Sequence, residues 1–290
     1  MNRREMMWGA LCLPAACSLR AMAETRAQRI VSTAPSITEA LFALGLGARV
    51  VGVSKYCDFP AEVKLLPRVG SYLHPDAEAI ARLTPDLVFV QRSSNELSAR
   101  LSGLKITVVD VPHGTLADVY RGIEIIAGAT QVLDRGVALN ARIREQLLAV
   151  QKKAKAMPAA RVLVVLDRKL GTLNDLTALG PDNYVNELVV IAGGDNVLKG
   201  QAISYPKISL ETVLRENPDV IVDLSGERDT EEERRLSREA SLTLWRQYGM
   251  LAAVRQNRVY VGTSNALLVP GPRSVDAAEL LFRAMHGAGA

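Results

Sequence analysis

Two tyrosines and two glutamates recur in this chain at a fixed spacing. Ser71 opens the stretch SYLHPDAEAIARLTPDLVFVQ, and Ser204 opens SYPKISLETVLRENPDVIVDL. At a constant offset of 133 residues, Ser71, Tyr72, Glu78, Arg82, Pro85 and Asp86 fall on Ser204, Tyr205, Glu211, Arg215, Pro218 and Asp219. In each copy a loop carrying the tyrosine leads to a short helix, then to a Pro-Asp turn and an apolar run, LVFV or VIV. Asp76 and Ser209 are residue types that cap helix N-termini, and a glutamate in the first turn suits the positive end of the helix dipole. First-turn glutamates are common on that ground alone. A matched pair, one per half of the chain, offers a second reading. Two acidic knobs would form a pseudo-symmetric contact surface for a partner with two basic patches.

The remaining chemistry-bearing types argue mostly by their spacing. His74, His113 and His286 lie far apart, with no H-x-H or H-x-x-x-H pairing, so the close ligand set of a free-ion zinc or manganese site is missing. The chain has no G-x-S-x-G elbow, P-loop or dinucleotide fingerprint after its first strand. The Gly45-Leu46-Gly47 run ends a helix rather than opening one, the wrong context for phosphate. A formal net charge of +4 over 290 residues, without a basic block or interleaved aromatics, excludes a nucleic-acid partner.

The elements that must position these residues follow from periodicity. Runs RIVST at 29, RVVGV at 49, LVFV at 87 and ITVVDV at 106 alternate with helical patterns, and RVLVVL at 161, VIVDL at 220 and RVYVG at 258 form a second set. Such alternation predicts an α/β protein with central parallel sheets covered by helices. In SITEALFALGLG, Ile37, Leu41 and Leu44 share a face. Between the sets, Val132, Leu139, Ile143, Leu147, Val150 and Ala154 mark one amphipathic helix, about 25 residues and nearly 40 Å long. It stops at Met157-Pro158, because the residue before proline avoids helical backbone. The expected organisation is therefore a leader over residues 1–23, an N-terminal lobe over 24–131, a connecting helix over 132–157 and a C-terminal lobe over 158–290. A stiff helix in place of a flexible linker limits hinge closure.

The leader reading rests on a three-part pattern: basic MNRRE, apolar MMWGALCLPAAC and the cleavage site Ala21-Met22-Ala23. Cys17 is the alternative processing position, as in a lipoprotein, although Pro14 stands where a lipobox favours leucine. Cleavage at Ala23 leaves Cys57 as the sole cysteine, so no internal disulfide is expected.

The stretches RIVSTAPSITEALFALGLGARVVGVSKYCDFP, VGSYLHPDAEAIARLTPDLVFV and GGDNVLKG with SYPKISLETVL resemble the class III periplasmic substrate-binding proteins of ABC importers. That group carries vitamin B12, ferric siderophores or haem, and the likeness, nearest to its vitamin B12 branch, runs from Arg29 to His286. The resemblance implies two lobes bridged by one long helix, a small-molecule ligand in the cleft between them, a periplasmic location and no enzymatic activity. It places Glu78 and Glu211 where one glutamate per lobe docks onto arginines of a permease dimer, itself served by ATPase subunits. It places Tyr56, Tyr72 and Tyr205 at three positions whose aromatic rings lie against a corrin.

Departures from the B12 pattern are equally specific. Asn265, Ala266 and Leu267 replace an aromatic pair after the final strand, and Leu176-Thr177 replace an aromatic expected in the loop before Gly180. His74, two residues beyond Tyr72, sits at the expected rim, where an imidazole or a nearby phenolate can ligate iron or cobalt; a lone exposed loop histidine is otherwise only solvated. Arg92 and Asn95 follow LVFV directly, at the carboxyl end of a strand, where ligand crevices open. Arg273 is expected to serve the start of the last helix, and Cys57 to be a small buried loop residue. The expectation is a receptor that captures cobalamin or a related corrinoid as cargo, with no resident cofactor or metal. A ferric siderophore or haem receptor of the same group is the first alternative. A tetrapyrrole metal chelatase and an adhesion or sensor scaffold are alternatives of other classes.

Overall fold

The computed structural model describes residues 27–91, 95–225, 231–262 and 265–287. The expected leader, both of its processing sites and Arg92 lie outside them. The N-terminal lobe is built on strands β1 (Ile30–Ser32), β2 (Val50–Val53), β3 (Leu87–Val90) and β4 (Thr107–Asp110), with helices α1 (Pro35–Ala43), α2 (Ala77–Arg82), α3 (Asn95–Gly103) and α4 (Leu116–Ala129). Its sheet has the order β2-β1-β3-β4, and every pairing is parallel. The central strands β1 and β3 are apolar at nearly every position because both faces are covered, and all four residues of β3 are buried.

The helix α5 (Leu133–Ala154) follows. Its 22 residues span about 33 Å, slightly shorter at both ends than the apolar spacing predicts. Leu139, Ile143, Leu147, Val150 and Ala154 are buried along one face. The C-terminal lobe contains β5 (Ala160–Asp167), β6 (Leu176–Ala178), α6 (Tyr184–Ile191), β7 (Gly194–Asn196), β8 (Lys207–Ile208), α7 (Leu210–Glu216), β9 (Val220–Asp223), α8 (Glu231–Arg246), α9 (Ala252–Arg255), β10 (Val259–Val261) and α10 (Ser274–His286). Its strand order is β10-β9-β5-β6-β8, with β7 also on β5. The centre is parallel, as the alternation predicts, but β6 and β8 run antiparallel. Both are too short, at three and two residues, to show a period in sequence. The pair Leu176-Thr177 therefore lies in a strand and not in a loop.

The recurring Pro-Asp turns have a structural cause. Asp86 Oδ2 accepts the backbone N–H groups of Gln28 and Arg29 at 2.8 and 2.9 Å, and Asp219 Oδ2 accepts that of Arg161 at 3.1 Å. In return the Arg29 side chain donates to the carbonyls of Leu83 and Thr84, and Arg161 Nη1 donates to the Asn217 carbonyl. Each knot ties the end of α2 or α7 to the start of the lobe's first strand. The residues before the two prolines, Thr84 and Asn217, both take left-handed backbone, at φ 44° and 41°.

One apolar core runs through both lobes, from Ile30 and Phe89 through Ile126, Leu139 and Ile143 to Val162, Val222 and Leu281. Helix α10 packs on both α5 and α6. The long helix is thus not a bare rod but the middle of a shared core, which resists relative movement of the lobes.

Candidate functional site

The N-terminal lobe presents a small aromatic shelf. Tyr56 and Tyr72 lie on different loops, yet their ring centroids are 5.5 Å apart at a tilt of 58°, a favourable offset arrangement. Their exposures are 46% and 41%, so both side chains reach the surface. The loop after β2 is fixed from beneath: Arg68 Nη1 donates to the carbonyls of Ser54 and Cys57 at 3.0 and 2.7 Å. Cys57 is fully buried, with its sulfur 3.2 Å from the hydroxyls of Thr38 and Ser54, and burial pushes its thiol pKa up. The Tyr72 loop closes on itself through His74 N–H to Ser71 Oγ at 2.9 Å and Ser71 N–H to the His74 carbonyl at 3.1 Å. Gly70 makes that closure fit: its φ is +88°, and a Cβ there would lie 2.6 Å from the His74 carbonyl oxygen. Only glycine accepts both conditions at once.

Tyr205 projects from the C-terminal lobe, 53% exposed. Its partial burial raises the phenol pKa. The loop is held through Ser204, whose carbonyl accepts Gly180 N–H at 2.9 Å and Asn183 Nδ2 at 3.4 Å. Asn183 is also the N-cap of α6.

That helix leads directly to the seam between lobes. The first amide of α6, Tyr184 N–H, donates to the Gly114 carbonyl of the N-terminal lobe at 2.7 Å. In the opposite direction, the first amide of α4, Leu116 N–H, donates to Glu187 Oε2. Each lobe thereby supplies an acceptor for a helix start in the other, satisfying amides that have no partner within their own helices. A second link lies beside it. Arg273 forms a two-point contact with Glu39, through Nε at 2.9 Å and through Nη2, and Nη2 also donates to Asn265 Oδ1 at 2.9 Å. The side chains are 14% and 3% exposed. Burial pushes the Glu39 carboxyl above its usual range, while the Arg273 contacts pull it back. The same guanidinium stacks over Phe59 at 4.3 Å, on the loop that carries Tyr56. Both tyrosine-bearing regions are therefore wired into the seam.

The structure redistributes several expected roles. Arg273 occupies the N-cap position of α10 but makes no side-chain cap there; its charge bridges the lobes. Asn265 is a partner of Arg273. Ala266 and Leu267 are buried. His74 is exposed on its loop, and among the described residues no three His, Cys, Asp or Glu side chains gather to hold a metal. Asn95 begins α3, but its side chain lies outside what the structure describes. His113 is exposed beside Gly114, and His286 Nε2 lies 3.0 Å from the Ala192 carbonyl. Glu78 and Glu211 are both exposed in first helical turns, under the caps Asp76 and Ser209. Glu39 and Glu187 were not legible as functional. For Glu39 one signal existed: a lone carboxylate in the otherwise apolar run ITEALFAL must be paired if it is buried.

Comparison with known proteins fixes the class. A family model described as periplasmic binding protein matches residues 30–266. The vitamin B12-binding protein of Vibrio parahaemolyticus serotype O3:K6 is 28% identical over 92% of this chain and 92% of its own length. An uncharacterized ABC transporter substrate-binding lipoprotein of Bacillus subtilis, YvrC, is 29% identical over 89% of this chain and 80% of its own. Among solved structures, the periplasmic heme-binding protein RhuT of Roseiflexus sp. RS-1 superposes with a TM-score of 0.78 at 27% identity, covering 91% of this chain and 99% of that one. The chain belongs to the periplasmic binding protein family. It is a substrate-binding component of an ABC importer, exported to the periplasm or to a membrane anchor facing it, and not an enzyme.

Proposed function

We propose that the protein captures a tetrapyrrole between its lobes, with cobalamin or a related corrinoid first, and hands it to a permease dimer with ATPase subunits. The observation that carries this is the tilted Tyr56–Tyr72 pair, half-exposed on one lobe, with Tyr205 on the other and both sides wired to the seam. A flat macrocycle suits such rings: their apolar faces cover it while the hydroxyls stay hydrogen-bonded at the rim. The tetrapyrrole is cargo, and the protein holds no resident cofactor. The shared core and the two inter-lobe links favour a groove formed before the ligand arrives. Arg92 and Asn95, just beyond β3, would hydrogen-bond the ligand's peripheral groups, with His74 at the rim.

Haem is the second reading. It is favoured by the likeness to the periplasmic heme-binding protein RhuT, which superposes with a TM-score of 0.78 at 27% identity. Titration of the mature protein with cyanocobalamin, cobinamide, haemin and a set of ferric chelates separates the readings. One stoichiometric spectral shift with a corrinoid is the expected result. Uptake of a ferric hydroxamate or catecholate with no tetrapyrrole binding would overturn the proposal.

Glu78 and Glu211 are the proposed feet on the permease, where a carboxylate–arginine contact sets orientation more than affinity. The double variant Glu78→Arg, Glu211→Arg is expected to abolish uptake while leaving ligand binding intact; unchanged uptake would remove this role. Export is proposed to proceed by cleavage after Ala23, with lipid attachment at Cys17 as the competing route, and the mass of the mature N-terminus decides between them.

A further inference from the structure

Two cations lie against the two aromatic rings of the loop after β2, and they are not equivalent. Arg273 stacks over Phe59, but its charge is matched by Glu39, and its Nη2 also donates to Asn265. Lys55 Nζ lies 4.9 Å from the centroid of the Tyr56 ring. It is exposed, and among the described residues it joins no ion pair, even with Asp58 on the same loop. The rim of the aromatic shelf therefore carries one unmatched positive charge, parked on the face a flat ligand would cover.

We propose that Lys55 reads an anionic group at the edge of the ligand, so that the site prefers a planar ring bearing a peripheral carboxylate over the same ring with that group masked as an amide or ester. This deepens the tetrapyrrole reading of the shelf and rests on it: cobalamin, whose corrin side chains are amides, would bind without the Lys55 contact, whereas haem or an acid form of the corrinoid would bind with it. A ring that settles on Tyr56 displaces the ammonium and ends its cation–π contact. The backbone of Lys55 stays anchored, because its N–H donates to the Gly70 carbonyl at 2.8 Å. The flexible stem then swings the charge to the ligand's edge. A neutral edge leaves the displaced ammonium with water alone, whereas a carboxylate gives it a charge-assisted hydrogen bond. Arg273 cannot take this part while Glu39 holds it.

The test measures dissociation constants for haemin against haemin dimethyl ester, and for cyanocobalamin against its side-chain monocarboxylic acids. At low ionic strength the carboxylated member of each pair is expected to bind about fivefold more tightly, the upper end for a half-exposed ion pair, and added salt should shrink the difference. Lys55→Gln should bring the ratio close to one without lowering the thermal midpoint, and Lys55→Arg should retain it. A wild-type protein indifferent to the carboxylate, or a Lys55→Gln variant that keeps the preference, would overturn the role of Lys55 while leaving the shelf standing. Binding of neither ring type, esterified or free, would overturn the tetrapyrrole reading itself and this inference with it.

Discussion

The two copies of the repeat fold alike at one end and part company at the other. At the amino end of β3 and of β9, the same knot recurs: a Pro-Asp carboxylate on the backbone where the lobe's first strand begins, and an arginine there on the helix end. At the carboxyl end, the equivalent positions are Val90 and Asp223. Val90 is an ordinary buried side chain. Asp223, equally buried, holds Arg168 Nε at 3.2 Å and Trp245 Nε1 at 2.8 Å, and its other oxygen accepts from Ser225. What the duplication preserves is therefore a structural joint. The strand ends that face the loops are where the lobes have diverged.

The largest expected effect breaks this contrast at its strongest point. Asp223→Ala leaves the Arg168 guanidinium, 5% exposed, without a counter-charge, and strands the Trp245 indole N–H. Loss of one partner from a buried pair costs about 3–5 kcal/mol. The double replacement Asp223→Val with Arg168→Leu imports the apolar strand end of the other lobe, and should recover the part of that loss due to the unpaired guanidinium, since an apolar substitute for a buried ion pair is often neutral. The stranded Trp245 N–H keeps a residual cost of about 1–3 kcal/mol. Urea unfolding of the three proteins is the measurement. A mild Asp223→Ala would mean that the network is wetter than its geometry indicates.

This contrast also shows what the chain discloses before folding. The alternation of LVFV, VLVVL and VIVDL with helical periods predicts the layers, because both faces of a central strand must be apolar. Asp76 and Ser209 predict the helix starts, since a cap depends only on neighbours in sequence. The partners of Glu39, Glu187 and Asp223 were not legible. Their partners Arg273, Leu116 and Arg168 lie 234, 71 and 55 positions away, and no local pattern encodes a contact made by tertiary packing. Of the identities in the repeat, the Pro-Asp pair serves packing. The family resemblance points to Tyr56 and Tyr72 as site residues, but their mutual contact depends on two loop closures that sequence does not reveal.

A smaller effect separates the two knots from each other. Asp86 Oδ2 accepts two backbone N–H groups, while Asp219 Oδ2 accepts one. Both aspartates are partly open to water, which discounts hydrogen bonds to a charged acceptor to about 1–2 kcal/mol in total for Asp86 and about half that for Asp219. Asp86→Ala should therefore lower the urea midpoint more than Asp219→Ala. Equal losses would show that the second contact of Asp86 contributes nothing.

The smallest expected change runs in the stabilising direction and sharpens the comparison at a single residue. Thr84 and Asn217 hold the same left-handed turn, at φ 44° and 41°. Asparagine tolerates that region, whereas a β-branched side chain there crowds the backbone. Asn217 has a further duty, since its Oδ1 accepts the Ala252 N–H at 2.9 Å; Thr84 is exposed, and its N–H and carbonyl bonds would survive replacement. Thr84→Asn should thus raise stability by about 0.5–1 kcal/mol through relief of strain, while the reverse exchange Asn217→Thr should lower it by more, losing the tie to α9 as well. Thermal melts of the reciprocal pair decide the matter. If the two exchanges proved equal and opposite, the Ala252 contact would carry no weight, and the knots would be interchangeable after all.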